Sequence, residues 1–155
     1  MHEVIPIVGR GFCFEDLRLG FRFRTHRRTI AESDLTSFVN LTWLTEELFA
    51  AVEENSPDST RALKGRAVPG ALVYSFAEGL LLPTMQDTGL AFLNATLDIK
   101  GPTVIGDTIH VEAEVTEHRL TSKGDRGLVR FANKVVNQRG DTVLEYNPLR
   151  LLKRK

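Results

Sequence analysis

Hydrophobic and polar positions alternate with two different periods in the first third of the chain. Residues 21–26 read Phe-Arg-Phe-Arg-Thr-His, a period of two that is typical of a half-buried strand. Apolar residues then recur at helical intervals and predict a short helix at residues 32–41. Thr29 and Glu32 have the spacing of a capping box that would start this helix. A second short stripe of helical period follows at Leu44, Leu48 and Val52.

The middle of the chain predicts a surface loop followed by a buried helix. Residues 53–64 are mostly polar and read as a loop. Residues 68–83 are apolar on nearly every side and are bounded by proline at both ends, with Gly70 next to the first of them. Such a helix is expected to be buried all round. Glu78 is the one charged residue inside it.

The last third of the chain reads as an antiparallel meander of long strands. Apolar and polar residues alternate in residues 91–99 and again in residues 109–115, and polar turns follow at 121–125 and 137–141. One buried helix followed by such a meander predicts an α+β fold with an antiparallel sheet wrapped around the helix. The whole chain, residues 1–155, is predicted to form a single domain.

Composition narrows the possible partners. The chain is 42% hydrophobic and 26% charged, with a formal net charge of zero, so nothing favours nucleic acid or an anionic membrane. No apolar run reaches the roughly 20 residues of a membrane span, and no export signal is visible. The single cysteine, Cys13, excludes an internal disulfide, which fits a reducing cytoplasmic location. The four histidines lack the spacing of metal ligands, so no metal is expected.

Three segments of the chain resemble the MaoC-like dehydratase and hydratase family of the hotdog superfamily. They are Phe-Glu-Asp-Leu-Arg-Leu-Gly at 14–20, Gly-Arg-Ala-Val-Pro-Gly-Ala-Leu at 65–72 and Gly-Pro-Thr-Val-Ile-Gly-Asp-Thr-Ile at 101–109. The resemblance implies a hotdog fold and dimers that pair their sheets edge to edge. It implies binding of acyl thioesters of coenzyme A or acyl carrier protein. Coenzyme A would enter as part of the substrate, and no separate cofactor is expected.

The resemblance also places a catalytic segment, which this chain alters. The family carries Gly-Asp-x-Asn-Pro-x-His, whose Asp and His activate a water molecule, whereas this chain has Leu44 and Phe49 at those two positions. The neighbouring carboxylates Glu46 and Glu47 are candidates to replace the missing acid–base pair. Alternatively, both are solvated acids in the first turn of a short helix. Trp43, together with the substituted pair, is expected to line an apolar acyl pocket.

Gly70 is the candidate oxyanion donor. By resemblance, it matches the family's glycine at the start of the central helix, where its backbone N–H would point at the thioester carbonyl. Pro69 and Ala71 flank it and are expected to contact the substrate. Alternatively, the Pro-Gly pair only starts the helix. The expected reaction is hydration of an enoyl-CoA, or dehydration of the 3-hydroxyacyl form.

Two other functions stay open from the sequence. Glu78 lies on the central helix at a spacing that resembles some hotdog thioesterases, where an acidic residue acts as base or nucleophile. It could equally be hydrogen-bonded and structural. A chain without the Asp/His pair could also bind thioesters without turnover, or assemble with an active paralogue.

Two basic groups could hold the phosphates of coenzyme A. The first lies in and after the first strand and the second around a hairpin; they comprise Arg22, Arg24, Arg27, Arg28 and Arg119, Lys123, Arg126. Arginine binds phosphate well through forked hydrogen bonds. For each group, the alternative is a solvated face with paired charges.

Overall fold

Short helices and long strands make up the computed structural model, which describes residues 3–50 and 65–155. The α-helices are α1 (Glu32–Thr42), α2 (Glu47–Ala50) and α3 (Gly70–Leu81), with single 3₁₀ turns at Phe14–Asp16 and Leu82–Thr84. The strands are β1 (Arg22–Arg24), β2 (Arg28–Thr29), β3 (Gly89–Asn94), β4 (Leu97–Ile99), β5 (Thr108–Leu120), β6 (Arg126–Val136), β7 (Thr142–Tyr146) and β8 (Leu149–Lys153). The predicted loop at 53–64 and Val52 of the second apolar stripe lie outside the described residues.

The strands form one antiparallel sheet around the long β5–β6 hairpin. β1 and β2 pair with β5 on one side. On the other side β6 pairs with both β7 and β8, and these pair in turn with β4 and β3. α3 packs against β5 and β7. The predicted α+β hotdog arrangement, a sheet wrapped around a central helix, is confirmed.

The main core lies between α3 and the sheet. Leu72 and Ala77 of α3 are almost completely buried, as are Ile109 and Val135 on the strands that face them. Burying a leucine, isoleucine or valine side chain contributes about 1.5–3 kcal/mol. This contact fixes the axis of α3 against the sheet, and therefore fixes where its first residue, Gly70, lies.

The prediction that the central helix is buried all round is wrong for the single chain. Ala71, Ser75 and Gly79 are exposed, and their spacing of four residues puts them on one face of α3. These residues are small, so they do not mark a polar face in the sequence, and the helix looks apolar on all sides. Their burial nevertheless contributes little free energy, so this face can stay exposed in the single chain.

The start of α1 differs from the predicted capping box. Thr29 lies in β2, where its hydroxyl contacts the hydroxyl of Thr108 at 2.7 Å. The residue before the helix is Ala31, whose N–H donates to the carboxylate of Asp34 at 2.8 Å. The correct cap is therefore Asp34, because the pairing of β2 with β5 draws Thr29 away from the helix.

The strand predicted over residues 91–99 is broken in two, and both parts are exposed. The break lies at residues 95–96, where the Thr96 N–H donates to Asn147 Oδ1 at 2.6 Å. Every residue of β3 and β4 is exposed. Among the described residues, β3 and β4 have a strand neighbour on one side only. The structure therefore leaves an apolar sheet edge open, with exposed large side chains at Leu90, Phe92, Leu93, Leu97 and Ile99.

Candidate functional site

Gly70 is held in place at the first position of α3 by the strand-like segment beside it. The Val68 N–H donates to the Thr103 carbonyl at 2.9 Å. The Pro69 carbonyl accepts from the N–H groups of Leu72 and Val73 at 3.0 and 3.2 Å, which starts the helix. None of the described residues accepts a hydrogen bond from the Gly70 N–H. This amide lies at the positive end of the α3 dipole and is available to a ligand oxygen.

A small apolar cavity opens beside this amide. Its volume is about 90 Å³, and it is lined by Val68, Gly70, Val73, Ile99, Gly101, Pro102, Thr103, Val143 and Leu144. Thr103 is the one polar side chain in this lining, and no titratable group belongs to it. The cavity is suited to an apolar group and, within the described residues, contains no acid or base.

Packing also requires the absence of a side chain at residue 70. A Cβ built there would lie 2.6 Å from Cδ1 of Ile99. Ile99 is 56% exposed, so its side chain has room to turn away. Glycine therefore allows close packing of the edge strand against the start of α3, in addition to any close approach of a ligand.

Arg66 links the segment with the altered catalytic positions to the residues that precede Gly70. Phe49 is partly buried against the main core. Its carbonyl accepts from Nε of Arg66 at 2.9 Å, while Nη1 of Arg66 donates to Glu32 at 2.7 Å. Arg66 thus joins α2, the first turn of α1 and the segment that leads into Gly70. Sequence reasoning missed this role, although an arginine four residues before the helix start was a visible signal.

Trp43 and Leu44 lie on the surface of the single chain. Trp43 is 84% exposed and has a left-handed backbone with φ 62°. That conformation is costly for a bulky residue and is often found at functional segments. Leu44 is 39% exposed. The structure therefore offers these side chains to solvent, while Phe49 faces the interior.

Both candidate carboxylates of α2 are exposed. The Glu46 carbonyl accepts from the N–H groups of Phe49 and Ala50 at 2.9 and 3.0 Å, so Glu46 starts the helix, and Glu47 is its first residue. Of the two residues that flank Gly70, Pro69 is buried and Ala71 is exposed. α2 brings both glutamates to the side of the molecule where Arg66 leads into α3.

Glu78 belongs to a separate polar cluster under the second half of α3. Its Oε1 accepts from the Tyr146 hydroxyl at 2.8 Å and from Nη2 of Arg150 at 2.6 Å. The Arg150 side chain is 7% exposed. Burial, followed by the charge of Glu78, raises the pKa of Tyr146, so its hydroxyl keeps its proton and acts as a donor. The ion pair with Arg150 and the hydrogen bond from Tyr146 support the structural interpretation of Glu78.

Removing one member of this ion pair is expected to destabilise the fold. Arg150→Met should lower the free energy of unfolding by about 3 kcal/mol, because it leaves Glu78 without its cation. The double variant Glu78→Leu/Arg150→Met should recover most of that loss. Urea unfolding followed by circular dichroism measures both. A loss below about 1 kcal/mol in Arg150→Met would contradict the structural role.

Most members of the two basic groups already have acidic neighbours. Arg22 lies 3.8 Å from Glu114, and Arg28 lies 3.2 Å from Asp34. In the second group, Arg126 lies 3.7 Å from Asp125. These pairs support the interpretation of solvated, charge-paired faces.

The described residues contain neither a membrane-spanning helix nor a metal-binding cluster. None of their helices is long and apolar enough to cross a membrane. No cluster of three or more His, Cys, Asp or Glu side chains within the described ranges is arranged to hold a metal ion.

Comparison with known proteins places the chain in a family. An (R)-specific enoyl-CoA hydratase from Rhodospirillum rubrum is 32% identical over 103 residues, which cover 66% of this chain and 69% of the relative. No family model matches the chain. Among solved structures, a MaoC-like dehydratase from the same organism has a TM-score of 0.76 at 22% identity, with 94% and 99% of the two chains covered.

A second solved structure supports the fold. A Mycobacterium tuberculosis protein described as a double hotdog fold has a TM-score of 0.77 at 20% identity, with 97% of this chain and 46% of that chain covered. At such identities the structural likeness concerns the fold alone, and the hydratase relative carries the family assignment. The chain belongs to the MaoC-like hydratase and dehydratase family of the hotdog superfamily.

Proposed function

We propose that this protein binds acyl thioesters of coenzyme A and hydrates a trans-2-enoyl group, or dehydrates the 3-hydroxyacyl product. The carrying observation is the start of α3, where the Gly70 N–H has no acceptor among the described residues and borders an apolar cavity. A thioester oxygen can accept from this amide, and a short apolar part of the substrate can occupy the cavity. The (R)-specific enoyl-CoA hydratase relative supports this substrate class.

The role of Gly70 in the proposed reaction is to stabilise charge. When water adds to the β-carbon of an enoyl thioester, negative charge develops on the thioester oxygen. A backbone N–H at a helix N-terminus is a fixed donor that needs no reorganisation as that charge forms. Such a donor typically accelerates acyl chemistry by about 10²–10³-fold.

A carboxylate of α2 supplies the proton transfer in this proposal. The carboxylate takes one proton from water, the resulting hydroxide oxygen adds to the β-carbon, and the same carboxyl group then gives that proton to the α-carbon. Glu46 and Glu47 are the titratable residues of the altered segment, and Arg66 fixes α2 beside the residues that lead into Gly70. Consecutive helical residues point about 100° apart, so one of the two performs this step.

A second copy of the chain completes the proposed enzyme. The open edge at β3 and β4 has apolar side chains on both faces and unpaired backbone groups on one side. An antiparallel pairing of this edge with itself would satisfy those groups and cover the apolar side chains. We therefore propose a homodimer, or a larger oligomer built from such dimers.

Binding without turnover is the second candidate. The favouring observation is that the lining of the Gly70 cavity contains no titratable side chain. Hydrolysis of the thioester has less support, because the Glu78 carboxylate is held by Tyr146 and Arg150.

One experiment separates these functions. Purified protein is incubated with trans-2-enoyl-CoAs of increasing chain length, and the products are measured by mass spectrometry and by a thiol reagent. Hydration gives the mass of one added water with the thioester retained, whereas hydrolysis releases free thiol. Saturable acyl-CoA binding without either product would favour the second candidate.

A further inference from the structure

An exposed apolar arm precedes the folded body of the chain. Its residues, 4–8, read Val-Ile-Pro-Ile-Val, and its four large side chains are 62–96% exposed. An isolated exposed aliphatic residue needs no explanation, but four within five residues indicate a contact surface. The described residues provide no cover for this arm, so its partner lies elsewhere.

The point where the arm leaves the body is firmly fixed. The N–H groups of Gly11 and Phe12 donate to the carbonyls of Gln86 and Thr84, both at 2.8 Å. Arg10 lies 3.3 Å from Asp87. A Cβ at Gly11 would lie 2.4 Å from the Thr84 carbonyl oxygen, so the two backbones are in direct contact. The arm therefore starts beside residues 84–87, shortly before the open edge strand begins at Gly89.

The arm cannot reach the other end of the same edge. Ten residue steps separate Gly89 from Ile99, which is about 33 Å at the rise of a strand. From Gly11 to the far end of the arm at Val4 the chain extends over at most about 25 Å. The Gly70 cavity of the same chain, which Ile99 and Pro102 line, is thus out of range.

We place the two-fold axis of the proposed dimer at residues 94–96, around the break between β3 and β4. Antiparallel pairing about this axis sets Gly89 of one copy opposite residues 99–103 of the other, which brings the arm near the cavity of the second copy. Those residues include Ile99, Pro102 and Thr103 of the cavity lining.

Resting on the proposed dimer, we infer that the apolar arm of each copy covers the mouth of the Gly70 cavity of its partner. The arm would supply part of the apolar wall that encloses the acyl chain. Each site then requires residues of both copies. The exposed aliphatic side chains of residues 4–8 and the exposed cavity rim at Ile99 gain their cover from the same contact.

Crosslinking tests this contact without relying on catalysis. The double variant Ile7→Cys/Pro102→Cys is treated with a short bismaleimide and run on a denaturing gel. The parent protein, whose single cysteine, Cys13, is buried, is treated with the same reagent as a control. We expect most of the chain to shift from monomer to covalent dimer. A second pair, Ile7→Cys/Lys100→Cys, covers the case in which the Pro102 variant fails to fold.

The matched control carries its second cysteine away from the edge. Ile7→Cys/Glu114→Cys places it at an exposed position of β5, on the far side of the sheet. No covalent dimer above this control, in protein that sedimentation shows to be dimeric, would overturn the inference. A crosslink within one chain would also overturn the inference. Sedimentation that shows a monomer in solution would overturn it as well. Absence of hydration by the unmodified protein, together with a crosslink in the double variant, would overturn the proposed function alone.

Discussion

Replacing Gly70 by proline should lower the rate of enoyl-thioester hydration by about 10²–10³-fold, because it removes the proposed oxyanion donor. Proline is well accepted at the first position of a helix, where its missing N–H has no partner within the helix. The preceding residue, Pro69, already has the extended backbone, φ −59° and ψ 140°, that a residue before proline adopts. The folded structure should therefore survive.

Gly70→Ala is the matched control for this change. Both variants place a Cβ against Ile99, but only alanine keeps the N–H. We expect Gly70→Ala to retain activity within about tenfold of the original protein, which corresponds to roughly 1.4 kcal/mol of transition-state stabilisation. Steady-state kinetics with one enoyl-CoA measures both variants. Equal losses in the two would show that space at residue 70 matters and that its N–H does not.

Removing the carboxylate that we propose as the catalytic base, at Glu46 or Glu47, should lower kcat by about 10²–10⁴-fold, as for other general acid–base residues. The variants are Glu46→Gln and Glu47→Gln, which keep the size of each side chain. Because the two residues point in different directions, one variant should lose activity and the other should stay near the original protein. KM should change little in either, since the substitution does not alter the apolar contacts.

The double variant supplies the decisive control for this prediction. Glu46→Gln/Glu47→Gln should be no more active than the inactive single variant, and circular dichroism should show that it is folded. A double variant with at least half of the original kcat would exclude both carboxylates and remove the proposed base.

The path of the chain follows from local patterns, whereas the contacts that define the site do not. Residues 109–115 alternate with the period of a strand, and the apolar run at 68–83, bounded by proline, predicts a helix; both elements form there. The cap of α1 was mistaken because a long-range strand pairing, β2 with β5, recruits Thr29. A pattern of neighbouring residues carries no information about this distant strand pairing, so it cannot predict that Thr29 joins β2 and does not cap α1.

For Glu78 and Gly70, too, the sequence indicates that the residue is unusual but does not indicate which distant residues it contacts. Glu78 stood out as a charge in an apolar helix, which indicated that it needs a partner. Its partners Tyr146 and Arg150 are about seventy residues away and meet it only when β7 and β8 fold against α3. Likewise, Gly70 was recognisable as a helix start, but its contact with Ile99 depends on the edge strand.

Hydration of a trans-2-enoyl-CoA by the unmodified protein tests the central claim most directly. The loss of the conjugated double bond is followed by ultraviolet absorbance, with a thiol reagent present to detect hydrolysis. The account predicts saturable conversion to the 3-hydroxyacyl-CoA with no thiol released. Folded protein that binds acyl-CoA yet gives no 3-hydroxyacyl product at any chain length would contradict it.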